Sequence, residues 1–368
     1  MKMSELGEFG LIRKIKQQSK GRSPSTLIGI GDDAAALSLS PSKKLLATTD
    51  MLLEGVHFDL SYTDFYSLGW KAAAVNLSDI AAMGGVPRFC LTALGIPAGI
   101  SVEQIKEFYK GFNTLCRKYN VDLVGGDTCR SERGLVISVT VLGEVEKKKM
   151  LTRAGAQPGD LVFVTGTLGD SAAGMELLTA GARVQGPGSR VQGPGSRGKG
   201  AGFRVRGSGA RGEGHVSELR TPNSALLLKH LRPVPRIESG RKIALSGCAT
   251  SMIDISDGLS SDLGHICEES RVGAEICVDQ IPFSKDIRKA ADHLKTIPLH
   301  YALSGGEDYE LLFTISPSKL KKYLSLKIVS TSIGSIIAGN TMVLINNGKR
   351  TVLKPKGFNH FSGQGRGQ

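Results

Sequence analysis

The chain has 368 residues, 40% of them hydrophobic, and a formal charge of +13. That length accommodates two domains, and no run approaches the ~20 apolar residues of a membrane span. The charge is unevenly spread: Arg183 to Gly214 holds seven basic residues and one acid, a net +6 that leaves +7 for the rest. A moderately basic body suits an enzyme of phosphorylated anions and makes general nucleic-acid binding unlikely as its main role. Six cysteines show neither C-x-x-C nor zinc spacing, which predicts buried thiols in a reducing cytoplasm.

Taken in order, the N-terminus (MKMSELGEFGLIRKIKQQSK) alternates as an amphipathic first helix and lacks a signal-peptide core. TLIGIGDDAAAL (26–37) places a Gly-x-Gly-Asp-Asp turn behind a short apolar run, and KLLATTD (44–50) reads as a strand ending in Thr48, Thr49 and Asp50. After a loop (51–60), Gly69 to Gly85 (GWKAAAVNLSDIAAMGG) reads as a helix apolar on almost every side, with Asp79 in its middle. The helical neighbours of Asp79 are Val75, Asn76, Ala82 and Met83. An ionised acid buried there is costly unless a cation or donors compensate it.

Strands are expected at Phe89–Ile96, Val121–Asp127 and Leu135–Val145, with an amphipathic helix at Val102–Tyr119. Strands mixed with long helices, without strict βαβ alternation, predict an α+β fold. A boundary is expected near residues 146–152, at the charged EKKKM run, giving residues 1–148 and 149–361 as two α/β domains and 362–368 as a flexible tail. The second half opens with strand, turn and helix (161–178), then meets RVQGPGS twice in tandem and Gly-Arg-rich sequence to Gly214. Segment 182–214 is too rich in Gly and Pro to bury much surface, so it reads as a disordered insertion. Strand and helix pattern resumes from residue 224 and ends in a late strand and hairpin turn at 341–348.

Several turns share one grammar, an apolar run, glycines, then an acid: Gly31-Asp32-Asp33, Gly125-Gly126-Asp127, Gly305-Gly306-Glu307-Asp308, and Asp254-Ile-Ser256-Asp257-Gly258 with its glycine last. Glycines let backbone N–H groups approach a phosphate, and carboxylates at strand ends supply the hard oxygens that Mg²⁺ prefers. There is no P-loop and no kinase H-R-D or D-F-G set. Asp254–His265 is not an EF-hand loop, since its fifth position is Gly258 and its twelfth His265.

As an ordered set, GIGDDAA, TTD…EGVHF, NLSDIAAMG, GGDT, LTRAGAQPGD, VTGTLGDSAAG, HLRPVPR, DISDGLSSDLGHI and LSGGEDYEL resemble the thiamine-monophosphate kinase family, from about Gly7 to Phe361. The resemblance implies γ-phosphoryl transfer from the co-substrate ATP to thiamine monophosphate, with several Mg²⁺ ions. It implies a homodimer whose N-terminal sheets pair into a shared β-barrel, each followed by a C-terminal mixed sheet flanked by helices. It also implies metal ligands at Asp33, Thr48, Thr49, Asp50, Asp79, Asp127, Asp254 and Asp257. ATP contacts are implied at Tyr109, Gly126, Asp127, Arg153 and Ser256, and substrate contacts at His57, Glu307 and Phe358. No general base is assigned, because the acceptor is already a phosphate anion. Two readings compete with this one: another ATP-dependent enzyme of the same superfamily, and an RNA-binding protein using the Gly-Arg arm.

Overall fold

The computed structural model describes residues 14–18, 24–28, 36–37, 40–185 and 224–357. Asp33, Phe358, the tail and most of the Gly-Arg segment (from 186) lie outside the described residues. Of the expected first helix, Lys14–Gln18 are described and helical.

Two principal sheets and their helices make a mixed α+β fold. The first sheet has the order β3-β6-β4-β5, from β3 (Lys43–Leu53), β4 (Val86–Ile96), β5 (Asp122–Arg130) and β6 (Val136–Glu146). β6 is antiparallel to β3 and β4, whereas β4 and β5 are parallel, joined through a helix as parallel strands must be. A two-stranded ribbon, β1 (Thr26–Ile28) and β2 (Ala36–Leu37), is separate in pairing but touches β5, where the Thr26 hydroxyl donates to Asp122 at 2.7 Å.

On the sheet's inner face lies α1 (Phe65–Ala82), crossed by α2 (Val102–Lys118). Asp64 caps α1 by accepting the Ser67 N–H at 2.9 Å, and Ser101 with Gln104 forms a capping box on α2. The two helices touch backbone to backbone. A Cβ on Gly69 would lie 1.9 Å from the Phe108 carbonyl oxygen, and one on Gly111 would lie 1.8 Å from that of Tyr66.

The second sheet has seven strands in the order β13-β12-β9-β11-β7-β10-β8, antiparallel except for the parallel pair β12 and β9. Its strands are β7 (Leu161–Thr165), β8 (Ala249–Asp254), β9 (Gly273–Cys277), β10 (Leu311–Ile315), β11 (Ser330–Ile337), β12 (Met342–Asn346) and β13 (Lys349–Val352). Helices α3 (Asp170–Gln185), α4 (Ser224–Leu231), α5 (Ile237–Ser246), α6 (Leu259–Ser270), α7 (Lys285–His293), α8 (Pro298–Ser304) and α9 (Leu320–Leu324) accompany it.

Three expectations from the sequence need correction. Asp127 does not close a strand: β5 runs through Gly125-Gly126-Asp127 to Arg130. A Cβ on Gly126 would meet the Thr92 carbonyl oxygen at 1.9 Å, so this glycine serves strand packing. β3 runs on to Leu53 into the expected loop, because Met51–Leu53 pair with Val136–Ser138. Helix α3 continues to Gln185, into the expected insertion.

The halves meet on α1. Trp70 Nε1 donates to the Pro233 carbonyl at 2.7 Å, and a Cβ on Gly240 of α5 would sit 2.2 Å from the Ala81 oxygen. One apolar core therefore runs from the inner face of the first sheet, through α1 and α2, to Phe163, Phe313 and Tyr323 of the second half.

Gly111→Ala tests that contact. Alanine in a helix interior gains about 1 kcal/mol of propensity, but here its Cβ meets a backbone carbonyl that cannot rotate away, an overpacking cost of about 1–3 kcal/mol or more. Denaturant titration should show a net loss, while Gly99→Ala, with open space around it, should be near neutral.

Candidate active site

The strand alternation of β3 decides which side chains face α1. Leu46, Thr48, Asp50 and Leu52 turn inward, and Leu45, Ala47, Thr49 and Met51 turn outward. The Thr48 hydroxyl donates to Asp79 on α1. One residue earlier on the helix, the buried Ser78 hydroxyl donates to Asp254 at the end of β8, at 2.6 Å. Consecutive residues of α1 thus bond to two different sheets, Asp79 accepting a hydroxyl from the first and Ser78 donating to a carboxylate of the second.

Three carboxylates gather there at an electrostatic cost. Burial, then the charge of Asp79, pushes Asp50 up to about 7. Burial, then Asp79 and Asp50, pushes Asp254 up to about 7 against the Ser78 hydrogen bond. Asp79 itself is raised by burial, opposed by Thr48 and by the Arg153 guanidinium. It is half-buried and not enclosed, since it sits where the otherwise buried helix meets the site. Beyond Asp254, the turn carries Asp257 and leads into Asp262, which accepts the N–H groups of Asp257 and Gly258, each at 3.1 Å. Burial, then Asp254 and Asp257, pushes Asp262 up to about 8. Ligand atoms of Asp257, Asp262 and His265 all lie within 4.8 Å of one another. Hard oxygens converging with an unmet need for positive charge fit divalent cations such as Mg²⁺.

The loop Gly305–Glu310 presses on the same turn. Glu307 N–H donates to the Ser256 carbonyl at 2.7 Å, and Tyr309 N–H to Ile255 at 2.9 Å. Glu307 and Tyr309 both adopt left-handed backbone, φ 58° and 52°, which non-glycine residues rarely do. The Glu307 carboxylate is 2.9 Å from Lys71 Nζ of α1 and 3.2 Å from His230 Nδ1 of α4. Asp308 accepts the N–H of Gly169 at 2.7 Å and of Ser171 at 3.3 Å where α3 begins, yet burial pushes it up to about 8. The phenol of Tyr309 is raised by burial, then by Glu307, Asp50, Asp254 and Asp79.

Several residues named from the sequence fall elsewhere. The Thr49 hydroxyl is on the opposite face of the sheet, donating to the Val139 carbonyl at 3.1 Å, so it is no partner of Asp50 and Asp79. Tyr109 is 1% exposed within the packing against α1, its hydroxyl 2.9 Å from Thr92 Oγ1, and it presents no surface to a nucleotide. Asp127 is exposed on β5, three strand spacings or roughly 14 Å from β3. His57 is tied back to β3, accepting the Leu53 N–H at 3.0 Å. Conversely, Ser78, Lys71, His230, Asp262 and Tyr309 belong to the site and were not singled out. Ser78, His230, Asp262 and Tyr309 lie inside the motifs quoted above, and for Lys71 the clue is a lysine beside a run of alanines in a helix expected to be buried.

Residues 31–145 match the family model "AIR synthase related protein, N-terminal domain". The thiamine-monophosphate kinase of Aquifex aeolicus is 37% identical over 361 residues, 98% of this chain and all of the relative. The chain belongs to the thiamine-monophosphate kinase family. The structure of that kinase from Stenotrophomonas maltophilia K279a is 35% identical with a TM-score of 0.75, over 94% of this chain and 98% of that one. A structure of AaThiL complexed with AMPPCP and TMP is 36% identical with a TM-score of 0.70, over 98% and 99%.

The raised aspartates set a pH dependence. Between the unfolded carboxylate value of ~4 and the folded values of about 7 for Asp50 and Asp254, the folded state binds more protons. Stability of metal-free protein therefore falls as pH rises through that window. Asp262 and Asp308 act in the same direction, and Glu146, held near 2 by Arg241, is already ionised in both states there. Thermal melts in EDTA should decline from pH 5 to 8. Asp50→Asn should flatten the decline, and Mg²⁺ should restore stability at pH 8; a melting temperature that rises with pH would contradict this account.

Proposed function

We propose that this protein transfers the γ-phosphoryl group of ATP to thiamine monophosphate, giving thiamine diphosphate and ADP by direct in-line displacement. The observation that carries the reading is the convergence of Asp50 and Asp254, from two sheets, on Asp79 of α1, in a family whose relatives bear the kinase name. A solved relative bound to AMPPCP and TMP supports the substrate pair.

Phosphoryl transfer asks a protein for positioning and charge neutralisation more than for covalent chemistry. Asp50, Asp79, Asp254 and Asp257, with the Thr48 hydroxyl, are the groups that would hold Mg²⁺. When bound, the ions neutralise the polyphosphate and the developing charge. Arg153 is exposed beside Asp79 and can fork onto phosphate oxygens. Ser256 lies at the turn next to Asp257 for the nucleotide side. Glu307, with His57 and Phe358, makes the thiamine side. Asp33 completes the ligand set we propose.

We further propose a homodimer closed through the first sheet. The support is its outer face, where Leu45 is 52% and Met51 55% exposed on an edge strand. Open edges and apolar faces of this kind are normally covered. The boundary between the two domains falls at 148/149, after β6 and before the Thr152–Asp160 connection. We place the enzyme in the cytoplasm, a reading supported by six free cysteines.

Purified protein given ATP, Mg²⁺ and thiamine monophosphate should form thiamine diphosphate. Absence of product, or transfer to free thiamine instead, would refute the assignment. Asp79→Asn should cost on the order of 10²-fold or more in kcat with an unchanged circular dichroism spectrum. Sedimentation should give a dimer that Leu45→Glu with Met51→Glu converts to monomer.

A further inference from the structure

The Glu307 corner contains two side chains that do not reach solvent. Lys71 is 2% exposed, in the middle of α1, and His230 is as deeply buried on α4, whereas the Glu307 side chain is 22% exposed. A buried ammonium needs a counter-ion at close range, and Glu307 supplies it at 2.9 Å. The Lys71 amine faces Oε1 and the His230 ring faces Oε2. Each carboxylate oxygen thereby has its own cationic or imidazole neighbour, and Ser171 Oγ lies 3.2 Å from the same His230 nitrogen.

The loop itself cannot re-aim Glu307. Its next residue, Asp308, is fastened to the start of α3, and Glu310 is gripped by Arg236 and by Thr165 at 2.6 Å. With Glu307 and Tyr309 both in left-handed backbone, the segment is held from every side, as strained loops at binding sites are.

Resting on the kinase reading above, we propose that Lys71 is the positioning residue for acceptor recognition. It holds Glu307 as a charge-compensated acceptor, so that Glu307 reads an N–H donor of the substrate. The thiamine moiety offers two handles, a cationic thiazolium and the amine of its aminopyrimidine. A carboxylate already paired with a buried ammonium has little net charge left for a ring cation. Its two oxygens have about four lone-pair sites between them, and the partly exposed side keeps lone pairs for a donor. Glu307 therefore selects the amine. Lys71, being buried, acts through Glu307 and does not touch the substrate.

The test compares thiamine monophosphate with its 4-oxo analogue, in which oxygen replaces that amine and the thiazolium is kept. Wild-type enzyme should use the analogue with a kcat/KM lower by about 10²-fold or more, as sites built for a donor do. Lys71→Met should raise KM for thiamine monophosphate about tenfold, with KM for ATP within about twofold, and Lys71→Arg should recover most of it. In a Glu307→Gln background, Lys71→Met should add less than about twofold, since both changes remove one interaction.

Equal use of the two substrates by wild type would overturn the proposal, and needs no variant to fold. So would effects of Lys71→Met and Glu307→Gln that multiply, or a parallel rise in KM for ATP. A wild type that forms no thiamine diphosphate refutes the kinase reading itself, whereas an active wild type with any of these three outcomes refutes only the role of Lys71.

Discussion

Everything in this molecule depends on how closely α1 can be approached. Gly69 and Gly111 let α1 and α2 meet with backbone atoms where any Cβ would collide, and Gly240 does the same for α5 on the far side. Interiors are packed too densely for such contacts to slide by an ångström. A helix gripped on both sides has one available rotation and one axial position. That rotation turns Lys71 and Ser78, seven residues apart on one helical face, toward the second half, and leaves Asp79 beside them to meet Thr48 of the first sheet. A helix rises 1.5 Å per residue, so Lys71 and Asp79 lie about 12 Å apart along it. The Glu307 carboxylate and the carboxylates of Asp79 and Asp254 are thus held at a fixed separation by one rigid element.

That rigidity is what makes the charge density tolerable. Asp50, Asp79 and Asp254 repel one another, and burial makes each harder to ionise. A flexible arrangement would relax by spreading them into solvent. Here Thr48 and Ser78 each hold one carboxylate by a hydroxyl, and the backbones that carry them belong to a strand, a helix and a strand end. Folding energy from the apolar core is thereby stored as an unmet demand for cations, the kind of preorganised electrostatics from which phosphoryl transfer gains most.

Much of this was legible in the sequence, because it rested on periodicity and on motifs. The apolar run around Asp79 announced a buried helix, and the long strands of the first sheet came close to their true limits. What failed did so for local reasons. Gly125-Gly126-Asp127 has turn composition, but its glycines admit a close strand neighbour, which composition cannot separate from a turn. Thr48-Thr49-Asp50 reads as three oxygen ligands in a row, while a strand sends alternate side chains to opposite faces, so Thr49 leaves the set. Tyr109 went astray because its ring fills the layer between α2 and the sheet. Lys71 could not be found by spacing, since its partner lies more than two hundred residues away in sequence.

The loop Gly305–Glu310 shows where such reading must stop. Glu307, Asp308 and Glu310 are one run of acids to the eye, yet each answers to a different element. Glu307 faces the buried cation of α1 and the histidine of α4. Asp308 caps the start of α3, and Glu310 is claimed by Arg236 and Thr165. Left-handed backbone at Glu307 and Tyr309, on either side of Asp308, throws successive side chains in separate directions. No property of the residues themselves distinguishes the acid that faces the buried cation from the two that fasten the loop. The distinction is made by tertiary placement, by which neighbour each carboxylate finds already waiting.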